Sequence, residues 1–303
     1  MKWREQADLA VNLLANLLGP RGQWPGWVCS EALYEAGRKD ISAPLTALGI
    51  LALRDLPLAG VDDLVRRSRE HIELTVQPGG LWRYYANIPP DTDDSAMCAL
   101  ALGLDHPLVA GRSTLSLAAL RGADGRFPTW FEPGWNPVID PVANTHVVAV
   151  IGGGPQTAAA IAWLLDVVAT GRERAKSSYY PDPLDLHVAL VRALEAGVTA
   201  LRPAVEIAAV RAQERLGTGG LSPYRIAQAM VVASTAVQPD RPLLKQAAAT
   251  LAADADPAGG WPAETLFVCR TGTAGGLLHY QSRAVVTALC LRALVLSETI
   301  ERN

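Results

Sequence analysis

The chain has 303 residues, 50% of them apolar and 19% charged, with a formal net charge of −3. That is ample material for a large core, and the slightly acidic balance gives no electrostatic case for nucleic acid. Four scattered cysteines (Cys29, Cys98, Cys269, Cys290) form no CxxC pair and no dense framework, so they are expected as small core residues in a reducing compartment. The first residues, Met1-Lys2-Trp3-Arg4-Glu5, turn polar at once, and Asp8, Asn12 and Asn16 break the apolar stretch that follows. No signal peptide and no bilayer-spanning run is expected, and the reading is a soluble, cytoplasmic protein.

Taken in order, the chain repeats one pattern six times. A capping residue, in four cases with proline in the first helical positions, precedes a mostly apolar run. Ser42-Ala43-Pro44 opens 45–53; Asp91 opens the run through 97–104; Asp140-Pro141 opens 142–151. Asp182-Pro183 opens 184–194, Ser222-Pro223 opens 224–232 and Ser282 opens 283–296. The spacings, about 49, 49, 42, 40 and 60 residues, are those of a repeat. Between these runs lie segments with one polar face: 5–18, 61–76, 107–121, 155–169, 198–216 and 243–253. Six apolar helices alternating with six amphipathic ones predict an all-α fold, an (α/α)6 barrel with inner and outer rings, as a single domain over 1–303. No β-pattern of comparable strength stands out.

Most inner helices follow a Gly-aromatic turn: Gly22-Gln23-Trp24, Gly79-Gly80-Leu81-Trp82, Gly125-Arg126-Phe127 and Gly259-Gly260-Trp261, with Gly219-Gly220-Leu221 a copy lacking the ring. The fourth repeat, around 171–180, has no clear copy. These turns resemble the QW-type repeats of squalene cyclases and prenyltransferase β-subunits, over nearly the whole chain.

The densest chemistry is Asp91-Thr92-Asp93-Asp94, three carboxylates in four residues after Pro89-Pro90 and at a helix start. Aspartate at a cap is ordinary. Three together repel, so that one stays protonated, while the helix N-terminus stabilises the anion left behind. The combination is a loaded acid able to protonate a carbon–carbon double bond. Asp91-Thr92-Asp93-Asp94-Ser95-Ala96 resembles the DxDD(T/S)A motif of class II terpene cyclases, among them squalene–hopene cyclases. The resemblance implies Asp93 as the general acid, Asp91 and Asp94 as the acids that polarise and hold it, and a linear polyprenyl substrate, with a diphosphate favoured. It also implies a histidine that holds the acid, a role open to His146, His187 and His279; from its place two residues beyond Asn144, His146 itself reads as structural.

If the inner helices run the same way, their caps share one rim. That rim would gather Asp140, Asn144, Tyr179, Tyr180, Tyr224 and Tyr280, and Trp82 stands beside the motif, as candidate substrate-binding residues. Aromatic faces stabilise carbocations and dry walls exclude water. Asp140 and Asn144 lie one turn apart, and Asp140-Pro141-Val142-Ala143-Asn144 resembles a DxVxN pattern of short bacterial members of the superfamily. They are read either as substrate- or acid-binding residues or as a cap and a hydrogen-bonded core residue. Arg83 and Arg283 are candidates for a diphosphate, or rim ion pairs.

Protonation needs no cofactor, and Mg2+ would enter only with a diphosphate substrate. Val61-Asp62-Asp63-Leu64-Val65-Arg66 fails as a DDxxD metal motif because Arg66 stands where its last acid belongs, and no Asp-x-Cys precedes His279 to make a zinc site. A barrel this short is expected to need loops, a second copy or a partner subunit to close its cavity, and a greasy substrate is compatible with peripheral membrane contact. Two other readings stand beside cyclisation: a non-catalytic prenyl carrier or partner-docking barrel, and a zinc-dependent prenyl transfer subunit.

Overall fold

Proline and a capping side chain start the inner helices where the sequence places them. In the computed structural model, which describes residues 2–30, 37–135, 137–271 and 276–302, the buried helices are α2 (Ala43–Leu53), α4 (Thr92–Leu102), α6 (Pro141–Ile151), α9 (Pro183–Glu195), α11 (Pro223–Ala233) and α13 (Arg283–Arg302). Asp91 accepts the Asp94 N–H at 2.7 Å and Asp140 accepts the Val142 N–H at 2.8 Å. Ser222 departs from the pattern: its side chain makes no cap bond, and Glu264 instead accepts the Tyr224 N–H at 2.7 Å. Each inner helix packs on the next, and α13 returns to α2, so the six close a ring.

Outside it lie α1 (Lys2–Leu17), α3 (Val61–Thr75), α5 (Thr114–Ala119), α7 (Ala158–Ala169), α10 (Arg202–Thr218) and α12 (Arg241–Ala253), with a short α8 (Glu173–Lys176) before α9. The expected helix over 107–121 is helical over 107–119, with a π-helical turn at Val109–Ser113 running directly into α5. Among the described residues no helix is long and apolar enough to cross a membrane.

The Gly-aromatic turns recur as one physical device. Trp24, Trp82 and Trp261 are fully buried, and each indole N–H donates to the carbonyl ten residues earlier, Leu14, Ile72 and Leu251. Their backbone N–H groups, and that of Phe127, reach a side chain in the first turns of an inner helix: Thr46, Ser95, Thr287 and Asn144. Glycine is required by the turn itself. Gly22 has φ +79°, and a Cβ there would sit 2.0 Å from the Arg67 carbonyl oxygen.

The all-α expectation needs correcting. A four-stranded antiparallel sheet, ordered β2-β1-β4-β3, is built from β1 (Pro25–Cys29), β2 (Arg38–Ile41), β3 (Thr265–Thr271) and β4 (Gly276–Gln281). It joins the two ends of the described chain: Val28 pairs with Tyr280, and the Ser282 hydroxyl donates to the Pro25 carbonyl at 2.8 Å. The β3 register is irregular between Thr265 and Phe267: Leu266 lies in the core, while Phe267, Val268 and Cys269 line a cavity.

Candidate active site

A cavity of about 310 Å³ opens at the N-terminal end of α4. Its floor is Asp91, Asp93, Asp94 and Met97. Tyr84, Tyr85 and Ile88 come from the segment before α4, Thr129, Trp130 and Trp135 from that before α6, and Tyr179 and Tyr180 from that before α9. The sheet supplies Phe267, Val268, Cys269, Leu278 and Tyr280. The β3–β4 pair therefore walls the cavity from within the chain. None of these lining residues is lysine, arginine or histidine.

Asp93 is held from both oxygens. His146 Nδ1 lies 2.8 Å from Oδ1, and the Tyr180 hydroxyl donates to Oδ2 at 2.5 Å. His146 and Tyr180 are 2% and 8% exposed, so both bonds are shielded from water. Both carboxyl oxygens of Asp93 are thus engaged by buried partners.

The neighbouring acids favour the protonated state. Asp91 is pushed up to about 7, by burial first and then by the charge of Asp93. Asp94 is raised well above the usual carboxylate range by burial and by the charges of Asp91 and Asp93. The cluster as a whole holds protons at neutral pH. Asp94 Oδ2 and Thr129 Oγ1 are buried with no hydrogen-bond partner among the described residues, and both side chains belong to the cavity wall.

Asp140 acts at one remove. It is fully buried. Besides capping α6, its Oδ2 accepts the Ser177 hydroxyl at 3.0 Å and the N–H groups of Ser178 and Tyr179 at 2.7 and 3.3 Å. It fixes the turn that carries Tyr180 to Asp93. The Val268 N–H donates to the Tyr179 carbonyl at 2.7 Å, tying the same turn to β3. The Tyr179 hydroxyl accepts the Trp130 indole N–H at 2.8 Å, and Trp130 stacks on Trp135 with centroids 4.4 Å apart.

Several candidates fall elsewhere. Asn144 is fully buried and spends its amide on the backbone N–H and carbonyl of Phe127. It occupies the place of Thr46, Ser95 and Thr287 in the other repeats, a packing role. Trp82 packs in the core. Tyr224 is buried beneath Arg225, whose guanidinium lies 5.0 Å from its ring centre. Arg283 pairs with Asp256, and neither it nor Arg83 lines the cavity. His187 contacts Glu173 at 3.3 Å and the His279 ring contacts Thr265 at 3.3 Å, so only His146 meets Asp93. Tyr84, Tyr85, Trp130 and Phe267, missed from sequence, carried a usable signal: aromatic residues just before a capped apolar helix, or in an alternating run.

No protein-family model matches the chain. Over 278 residues it is 26% identical to the drimenol cyclase drtB of Aspergillus calidoustus, covering 86% of this chain and 50% of that protein. The chain thus spans about half the length of this curated relative. Its fold is that of the type II terpene cyclases. MstE of Scytonema, bound to merosterolic acid A as product, superposes with a TM-score of 0.76 at 16% identity, covering 99% of this chain and 98% of that one. MstE bound to geranylgeranyl dihydroxybenzoate as substrate gives 0.74, also at 16% identity, with coverage of 99% and 98%. The ent-copalyl diphosphate synthase of Streptomyces platensis gives 0.60 at 20% identity, over 84% of this chain and 50% of that one.

Proposed function

We propose that the chain is a class II terpene cyclase, an isomerase that starts cyclisation of a linear prenyl chain by protonating its terminal double bond. Its double ring of helices is read as an (α/α)6 barrel, and its acid is Asp93. The observation that carries the reading is one carboxyl, gripped by His146 and Tyr180, at the wall of an aromatic cavity.

In the first step the Asp93 O–H bond breaks, the proton joins the alkene carbon, and the alkene electron pair forms that C–H bond. His146 and Tyr180 stabilise the carboxylate left behind. Further double bonds then attack the cationic carbon in turn, while Tyr84, Phe267, Tyr179 and Tyr280 offer ring faces to the moving charge. The apolar walls keep water from quenching it.

The substrate is a prenyl chain lying in this cavity. A diphosphate head group, if the substrate carries one, lies outside, because the lining offers it no cation and three carboxyl groups oppose it. Mg2+ would accompany only such a head group. Prenylated aromatics are equally compatible, as the substrate bound by the similar MstE illustrates.

The test is a product assay with farnesyl and geranylgeranyl diphosphates, squalene and a geranylgeranylated hydroxybenzoate, with and without magnesium. A cyclised isomer of unchanged mass supports the reading. Binding without turnover across the panel would refute it in favour of a prenyl carrier.

A further inference from the structure

The cavity has a second polar pole that the initiating step does not use. Asp40 on β2 is 3% exposed, and its Oδ2 accepts the hydroxyl of Tyr84. The Tyr85 hydroxyl lies near the same carboxylate but is buried without a hydrogen bond of ordinary geometry. Both tyrosines line the cavity. A buried carboxylate tied to a cavity-wall phenol is costly to build, and β2 is already paired through its backbone.

The two poles share one wall of rings. Tyr180, which grips Asp93, is 6.4 Å from Phe267 between ring centres, and Phe267 is 5.6 Å from Tyr84. Phe267 thus neighbours the tyrosine of each pole, and the charge of Asp40 reaches Asp94. A cyclisation also needs two ends: the proton enters at one carbon and another leaves from a carbon on the far side of the new rings. Burial holds Asp40 above the usual carboxylate range, which suits it to receive a proton.

Resting on the cyclase reading, we propose that Tyr84 and Asp40 end the reaction as a proton-accepting pair. The C–H bond beside the final cationic carbon breaks and its electrons form the product alkene. The Tyr84 oxygen takes that proton while its own hydroxyl proton passes along the existing hydrogen bond to Asp40. The substrate is isomerised with no net change in atoms. Asp93 is left ionised and Asp40 protonated, and exchange of one proton with water resets both.

The test uses the full chain and whichever panel substrate the wild type cyclises, comparing Tyr84→Phe, Asp40→Asn and Asp40→Glu, with folding checked by circular dichroism. In folded Tyr84→Phe and Asp40→Asn the readout is the distribution of products from whatever substrate is consumed, since neither change removes a hydrogen bond to Asp93. The native alkene should fall at least about tenfold relative to isomeric alkenes and hydrated products, with partial recovery in Asp40→Glu. Unchanged product ratios in folded Tyr84→Phe and Asp40→Asn would overturn this inference and leave the cyclase reading standing. A wild-type chain that cyclises nothing would overturn both.

Discussion

Replacing Asp140 with alanine tests how the scaffold positions the acid. Four donors lose their acceptor: the Val142, Ser178 and Tyr179 N–H groups and the Ser177 hydroxyl. Loss of the α6 cap costs about 1 kcal/mol, and each backbone donor stranded in the partly buried turn about 1 kcal/mol or more. The sum, roughly 3–5 kcal/mol near pH 5, lowers the melting temperature by about 5–8 °C for a chain of this size. The penalty depends on pH. Asp140 is pushed up to about 6, chiefly by burial. A folded-state pKa above the unfolded one means that the native state holds the proton longer, so wild-type stability falls as pH rises through this window. The mutant lacks that loss, so its deficit shrinks by about 1 kcal/mol between about pH 5 and pH 7. Thermal melts of both proteins across this range provide the assay. Initial rates should fall as well, since the turn carrying Tyr180 is released. Unchanged melting and unchanged turnover would refute the assignment of Asp140 as the anchor of that turn.

Tyr180→Phe removes one bond to Asp93 and keeps the ring; the rate should drop about 10–100-fold with KM little changed, read by steady-state kinetics. His146→Ala should lower it about 100-fold or more with the fold retained by circular dichroism. Turnover should fall as pH rises through about 7, where Asp91 loses the proton that burial and the charge of Asp93 hold on it; a rate flat to about pH 9 would contradict a proton supply shared with Asp91. Trp82→Ala, in a fully buried site, should cost about 3–5 kcal/mol in denaturant melts, because the indole packs between helices and not against substrate.

Much of the helical frame was legible because its punctuation is local. Ser42, Asp91, Asp140, Asp182, Ser222 and Ser282 each precede an inner helix at the expected residue. The glycine turns were visible too, and the structure explains their repetition by the indole-to-carbonyl bonds of Trp24, Trp82 and Trp261. Asp91 answers to both of its readings: it caps α4 and lines the cavity. The sheet was overlooked because its strands are short and distant in sequence, although Leu266-Phe267-Val268 and Leu277-Leu278-His279-Tyr280 around a Gly/Thr-rich stretch resemble a hairpin.

What sequence could not supply was rotation and partnership between neighbouring helices. His146 and Asn144 sit two residues apart on α6, yet one meets Asp93 and the other turns to Phe127. The choice depends on how α6 is rotated against α4, a tertiary quantity. The same holds for Asp140, whose cap role was plain but whose grip on Ser177–Tyr179 spans 37 to 39 residues. Arg83 and Arg283 were plausible by charge alone, and only the cavity's lining removes them from it.

In the proposed reaction Asp93 delivers a solvent-derived proton to carbon. The direct measurement is to run wild type and Asp93→Asn on the same prenyl substrate in heavy water and to analyse the products by gas chromatography–mass spectrometry. The wild-type product should be cyclised and carry one deuterium at the protonated carbon, and a folded Asp93→Asn should give no cyclised product. A cyclised product without deuterium, or equal turnover by Asp93→Asn, would contradict it.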